Sequence, residues 1–474
     1  MWPDLRFLDS FYPRIGCQIM ISISRPHRQM AATAMVVVAM ILPTFSTLWW
    51  AFTVNRPGHV RDVEVRLSRA LGLQVGLEAV DYPRPGEIVL TGAIFRQEEP
   101  RGRVFREVAR ARQLTLKPKE NVYLLEGSDV ELFGDSSDTA LAQIGLILQK
   151  ASIDPESIRR MTFAIDRCRM QVEHGAGGLP VKMEWRSVAG SVESRHEQAI
   201  VQASAWHHEA DRRTRCELKL TRKRQGQDAS THLSLATMEG PPLPCNTLEP
   251  IIDMPGWLGE KARLQGQLTL SQVENQPWEA QFSGSLEEVD LSRMINGRFG
   301  SHRLTGVGQV QVKQAIWGDR PGQGSGWREI QGDLTSGPGK ASQGLLLAMG
   351  QQMRFRLAPN LHTPKKPSDE VDFGSFGLQF HLTEDGQIQF GGACGPDFGP
   401  DVVAISTQAK PTPIMAAPKT MVNVRGLLKT LFPVNIAQAE LLVPTTRESQ
   451  SLQRYLPMPS SRLNGAQVLP ASHQ

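Results

Sequence analysis

Aromatic side chains make up only 6% of this 474-residue chain, and its charge is close to balance, with a formal net charge of +4. A dedicated nucleic-acid binder carries a concentrated basic field, so no nucleic-acid partner is expected. None of the five cysteines, Cys17, Cys168, Cys216, Cys245 and Cys394, belongs to a C-x-x-C pair. That argues against a structural zinc site or a thioredoxin-type redox pair. No G-x-S-x-G nucleophile elbow occurs. "GPGKAS" at residues 337–342 fails as a phosphate loop, because Leu334 and Ala341 stand where a glycine and a hydroxyl are needed. "GDRPGQGSG" at 318–326 joins two predicted strands and opens no helix, so a dinucleotide site is not expected. "HHEAD" at 207–211 gathers His207, His208, Glu209 and Asp211 between two predicted strands, which fits a solvated hairpin loop. A zinc site needs a further ligand and a second shell, and neither is indicated. No catalytic, cofactor-binding or metal residue is assigned, no cofactor is implied, and no enzyme activity is expected.

What the sequence does hold begins with residues 30–54, 25 positions without a charge. About 20 apolar residues span a bilayer, and Trp49 and Trp50 close the segment where an interfacial aromatic belt would lie. Pro43 would kink such a helix without forbidding it. The stretch is long for a signal peptide, and no A-x-A site follows it. With a mean hydropathy of −0.27 for the whole chain, a single anchor with a large soluble part is expected. Arg6, Arg14, Arg25 and Arg28 precede the span and Arg56, Arg61, Arg66 and Arg69 follow it, so the positive-inside rule is nearly balanced. Four of the cysteines lie beyond the span. Two disulfides in an oxidising compartment and separate buried thiols both fit them.

Beyond the anchor, residues 60–71 place Val60, Val63, Leu67 and Leu71 on one helical stripe, and Gly72 stops it. Strand patterns follow at 73–80, 87–95, 105–116 and 122–133, then a helix at 138–150 capped by Ser137. Further strands are expected at 161–172, 181–188, 199–206, 216–221 and 232–238. Residues 243–259 break the rhythm with Pro and Gly and mark a change of subdomain with a short helix. Residues 341–353 read as a helix, either over an open sheet edge or packed in the core. Phe376, Leu378, Phe380 and Leu382 alternate into an Asp385-Gly386 turn of type I′ signature, with Ile388 and Phe390 on the return. Residues 396–419 read as linker, 422–431 as a helix, and the chain from about 437 as disordered. The basic stretch 101–119 suits either lipid headgroups or a solvated sheet face.

One pattern recurs without a fixed period: apolar-x-Gly-x-apolar, at Gly92, Gly266, Gly284 and Gly332, and at Gly306 with Gly308 in the last place. Glycine weakens a strand, so its repetition needs a reason. It would permit a long antiparallel sheet to curl into a trough. The other explanation is that each glycine faces a large neighbour on an adjacent strand.

The segment "LGLQVGLEAVDYPRPGEIVLTGAIF", following the span and small helix, resembles the start of AsmA-like envelope proteins. Residues 258–317, with "LQGQLTL", "FSGSLEEVDL" and "LTGVGQVQV", resemble that family's C-terminal repeats. The resemblance covers about a third of the chain and carries no catalytic residue. It implies a mostly β protein with one N-terminal transmembrane helix, a curled antiparallel sheet with an open groove, and a few short amphipathic helices. It also implies an inner-membrane, single-pass protein with its bulk in the periplasm, handling envelope lipid or maintaining the outer membrane. The expected partners are the bilayer, phospholipid as ligand, and other envelope proteins. The alternative is a tethered scaffold that binds envelope proteins without a lipid groove. The expected layout is a cytoplasmic segment (1–29), the anchor (30–54), a first β-rich exported part (55–242), glycine-punctuated repeats with a helix (243–357), a terminal hairpin with linker and helix (358–433), and a disordered tail (434–474).

Overall fold

A computed structural model describes residues 25–54, 56, 58–98, 105–119, 122–134, 160–172, 181–195, 197–209, 212–225, 228–245, 257–273, 276–296, 298–299, 302–320, 324–361, 369–432 and 455–458. The helix expected at 138–150, most of the break at 243–259 and most of the expected tail lie outside these residues. The protein is mostly β, and it divides into two units, Met1–Thr115 and Leu116–Gln474.

In the first unit, α1 (Arg25–Val54) runs through Pro43. Its stretch Gln29–Thr53 is long and apolar enough to cross a membrane, and its most hydrophobic window is wholly unburied. α2 (His59–Leu71) half-buries Val60, Val63, Leu67 and Leu71 and exposes Arg61, Asp62, Arg66 and Arg69. Gly72, at φ 64°, ends it by donating its N–H to the Ser68 carbonyl. The strand expected at 73–80 is two short ones, β1 (Gln74–Gly76) and β2 (Ala79–Asp81), both antiparallel to β3 (Ile88–Glu98). The interruption has a local cause. Gly92 on β3 has φ 62°, and the Glu78 side chain lies over it. β4 (Phe105–Lys119) carries the chain into the second unit, burying Val108 and Ala111 and pairing Arg110 with Glu107 at 2.9 Å.

The second unit is built on long strands: β5 (Val122–Gly134), β6 (Arg160–Val172), β7 (Val181–Arg195), β8 (Gln198–Glu209), β9 (Arg212–Gln225), β10 (Asp228–Glu239), the short β11 (Leu243–Pro244), β12 (Arg263–Val273) and β13 (Glu279–Asp290). There follow α3 (Leu291–Ile295), β14 (Val307–Arg320), β15 (Gly324–Ser336), β16 (Gly339–Ser342), α4 (Gln343–Met353), β17 (Arg356–Leu357), β18 (Glu370–Phe373) and β19 (Ser375–Leu382). The last elements are β20 (Gln387–Gly392), β21 (Val402–Ile405), β22 (Pro413–Ala416), β23 (Val422–Asn423) and α5 (Val424–Leu431). The spatial order β5-β6-β7-β8-β9-β10-β12-β13-β14-β15-β19 is antiparallel at every step but the first. At ~4.8 Å per strand this run spans about 50 Å. β5 and β6 are parallel, so the sheet is mixed and not wholly antiparallel as expected. Parallel neighbours need a long crossover, and residues 135–159 supply the length. Among the described residues no strand pairs back to β5, so the sheet of this unit is open.

The far end of the sheet is a packed core. Leu345, Leu346, Met349 and Met353 of α4 are buried against Leu291, Phe373, Phe376, Val403 and Met415, so this helix is a core helix. Ser342 caps it, its hydroxyl accepting from the Leu345 N–H at 3.3 Å. The expected linker at 396–419 is instead β21 and β22. Pro/Gly composition hides the run Val402, Val403, Ala404, Ile405, every residue of which is buried. Pro413 opens β22, where a missing N–H is tolerated. Part of the expected tail also docks, with Leu456 packed beside Val424 and Leu428 of α5 and beside Leu382 and Ile388. The β19–β20 turn places only Gly386 at positive φ (76°), with its N–H donating to Thr383. It is therefore not type I′, which needs positive φ at both central residues; Asp385 instead accepts from the Gln387 N–H at 3.3 Å.

Candidate functional site

Residues directly opposite one another on paired strands share a face, so the registers define what each face of the sheet carries. One row runs Tyr123, Met161, Val192, Val201, Leu220, Leu233, Leu270, Ala280, Trp317, Trp327, from β5 to β15. Two residues along each strand, or three on β15 where the register shifts, a second row runs Leu125, Phe163, Gly190, Ala203, Leu218, Leu235, Leu268, Phe282, Ala315, Ile330, Leu382. Apart from the phenol of Tyr123 and the indoles of the two tryptophans, neither row contains a polar side-chain group. From β6 to β13 the intervening positions belong to the opposite face and read Thr162, Ser191, Gln202, Lys219, Ser234, Thr269, Gln281, with Leu124 on β5 and Ile316 on β14 at the ends of that row.

The apolar face is treated differently along its length. Towards β15, β19 and β20 it is covered by α4, α5 and residues 455–458, and Trp317 lies 5.0 Å from Tyr455. Over β8 to β13 the cluster at Leu220, Leu233 and Leu270 contains, among the described residues, only side chains of the sheet and its hairpin residue Trp278. Those three leucines are 4%, 9% and 6% exposed, whereas Met161, Phe163, Leu235 and Leu268 are half-buried.

Several strands change phase part-way. Apolar alternation slips between Gly127 and Val130 on β5, between Val188 and Trp185 on β7, and between Leu286 and Val289 on β13. Asp129, Ser187 and Glu288, inside those slips, have φ of 46°, 49° and 53°. Register shifts accompany the slips on β7 and β13. The slips on β7 and β13 are β-bulges, which bend and twist the strand that carries them. Open recesses lie at both. One of about 320 Å³ is lined by Asp166, Arg186, Ser187, Trp206, His208 and Arg213. The other, about 590 Å³, is lined by Glu287, Glu288, Val307, Gly308, Gln309, Thr335, Ser336 and Gly337. Polar groups dominate both, so neither is an apolar groove. Beside the first, Arg186 donates to Glu184 at 2.8 Å and holds that carboxyl below the usual range. Partial burial, then Arg186 and Arg213, push His208 down from its ordinary value.

No protein family matches the chain, and no curated protein does.

The sequence-highlighted residues fall as follows. His207, His208 and Glu209 belong to β8 and not to a loop as expected. Adjacent strand residues face opposite ways, so His207 is buried edge-on to Trp185 at 5.4 Å while His208 faces the recess. Among the described residues no cluster could hold a metal ion. Cys168, Cys216, Cys245 and Cys394 form no disulfide among the described residues, and the first three are buried. Of the two arrangements open to these cysteines, the structure has separate thiols, and burial pushes Cys168 up to about 11 and Cys216 up to about 12. The glycines divide. Gly332 lies against the Phe380 ring, the large-neighbour arrangement, whereas Gly266 and Gly284 face each other. Phe163 over Gly190 repeats the aromatic cover.

Proposed function

We propose that this chain is a membrane-tethered envelope protein of AsmA-like type that holds phospholipid acyl chains along the apolar face of its long sheet. In this reading α1 spans the inner membrane and the bulk of the chain is periplasmic. The observation that carries the reading is the pair of apolar rows crossing ten strands and more, neither of which holds a charged, amide or aliphatic hydroxyl side chain. A peptide occupant needs hydrogen-bond partners for its backbone. Hydrocarbon needs none, and each buried CH₂ contributes about 0.8 kcal/mol. One leaflet of a bilayer core is about 15 Å thick, half of ~30 Å, so a tail would cross three or four strands at ~4.8 Å spacing. Bulges at Ser187 and Glu288 would supply the bending that a trough requires.

The near-complete burial of Leu220, Leu233 and Leu270 favours a second reading, a scaffold with a filled interior that binds envelope proteins through its surface. Strand alternation separates the two. A photo-crosslinking residue placed at Leu235 or Phe163 in the full chain, in its native membrane, is expected to yield a phospholipid adduct; at Ser234 or Thr162 it is not. Protein adducts at 234, with no lipid at 235 or 163, would refute the lipid reading and support the scaffold.

A further inference from the structure

Arg222 stands at the border of the apolar face. Two residues beyond Val192, Val201, Leu220, Leu233 and Leu270 on their strands, the same face continues as Ser194, Ala199, Arg222, Thr231 and Gln272. Arg222 is half-buried there, and its guanidinium donates to the Thr231 hydroxyl at 3.0 Å. Ser194, Ala199 and Thr231 are buried around it, at 6%, 0% and 3% exposure. Among the described residues no carboxylate lies within ion-pair range of Arg222, and Thr231 is its hydrogen-bond partner. Other arginines of the sheet are ion-paired: Arg169 with Glu131, and Arg328 with Glu279 and Glu384. A guanidinium presents five N–H donors in a fixed fork suited to phosphate oxygens. One is engaged by Thr231, and its neighbours across the strands are neutral.

Resting on the lipid reading above, we propose that Arg222 is the headgroup anchor of this face. It receives the phosphate of a phospholipid whose tails lie over the half-buried Leu218, Leu235 and Leu268. The ligand class is therefore an amphiphile with a phosphate at one end, and Arg222 sets which end of it sits at this border. Thr231 positions the guanidinium.

The test uses the full chain in detergent micelles, offered phosphatidic acid or diacylglycerol with identical tails, with bound lipid extracted and weighed by mass spectrometry. A charge-assisted hydrogen bond of the usual strength predicts that the wild type prefers phosphatidic acid by about tenfold or more. Arg222→Gln brings that ratio close to one and leaves diacylglycerol uptake unchanged, while Arg222→Lys keeps part of the preference. An unchanged urea midpoint in both variants ties the loss to the headgroup. If Arg222→Gln discriminates as well as the wild type, the anchor is refuted and the lipid reading survives. If the wild type takes up neither lipid, the lipid reading itself fails and the anchor with it. Displacement of the lipid by an equal concentration of inorganic phosphate would assign the cation to a free anion and overturn the proposal.

Discussion

The glycine pair at the centre of the sheet makes a quantitative test. Gly266 on β12 pairs directly with Gly284 on β13. A Cβ built at 266 would stand 2.7 Å from the Gly284 Cα and closer still to the Ser283 carbonyl oxygen. Carbon atoms in contact prefer ~3.5–4.0 Å, so Gly266→Ala must open the two strands by about 1 Å. The obstacles are backbone atoms held in the ladder, not the ends of flexible side chains. Gly266 is also fixed from behind, its N–H donating to the Thr237 hydroxyl at 2.8 Å. Overpacking of this kind costs about 1–3 kcal/mol. The assay is urea unfolding of the full chain followed by tryptophan fluorescence, since Trp185, Trp278, Trp317 and Trp327 all belong to the second unit. Gly337→Ala is the control, because nothing lies within 4 Å of a Cβ there. Gly266→Ala should lower the midpoint and Gly337→Ala should not. Equal midpoints for the two would refute the close-approach explanation of this glycine.

Two further outcomes follow from buried titratable groups. The Cys168 and Cys216 thiols are held neutral by burial, up to about 11 and about 12 against an ordinary 9.0. A raised folded value means that the stabilisation is fully present below pH 9 and is lost as the pH climbs through the folded values; the urea midpoint should fall over that window, and alkylation of both thiols at pH 8 should track unfolding. His302 is buried, donates from Nε2 to the Thr430 carbonyl of α5 at 2.7 Å, and burial lowers it from 6.5. Its stabilisation is present above pH 6.5 and is lost as pH falls from there towards the lowered value, so acid should weaken the docking of α5, read by proteolysis after α5, and His302→Gln should flatten that pH dependence.

Much of the fold was legible, and the failures have identifiable causes. Alternation located the strands of the second unit because a half-buried sheet repeats every two residues. It cut β7 short at Val188, because the bulge at Ser187 reverses which residues face inward and the pattern looks finished. The signal was present in the sequence: Trp185 and Val188 are three apart, as are Gly127 and Val130 on β5. Charged ends hid the true lengths of β9 and β10, whose Arg212, Arg213 and Asp228 extend strands that a hydrophobic count stops early. Composition misled at 396–419, where four consecutive buried apolar residues outweigh the prolines around them. Arg222 escaped notice because it is one of 52 basic residues, and only register places it on the apolar face.

The chain covers this face where it supplies the means. Leu286, Val310, Leu334 and Leu378 form another apolar row across β13, β14, β15 and β19, and α4 with the strands beside it packs over them. Ile330, Leu382 and Ile388 are likewise sealed by α5 and Leu456. Over β8 to β12 the described residues offer no such layer, although the rows continue unbroken. A contiguous apolar surface invites association, and in the lipid reading the occupant there is a phospholipid tail over the half-buried Leu218, Leu235 and Leu268. A protein partner would bring a rim of polar groups to be matched on both sides of the contact. The described border on the Leu220 side instead offers a single unmatched guanidinium among small and hydroxyl side chains, a match for an amphiphile with one charged end.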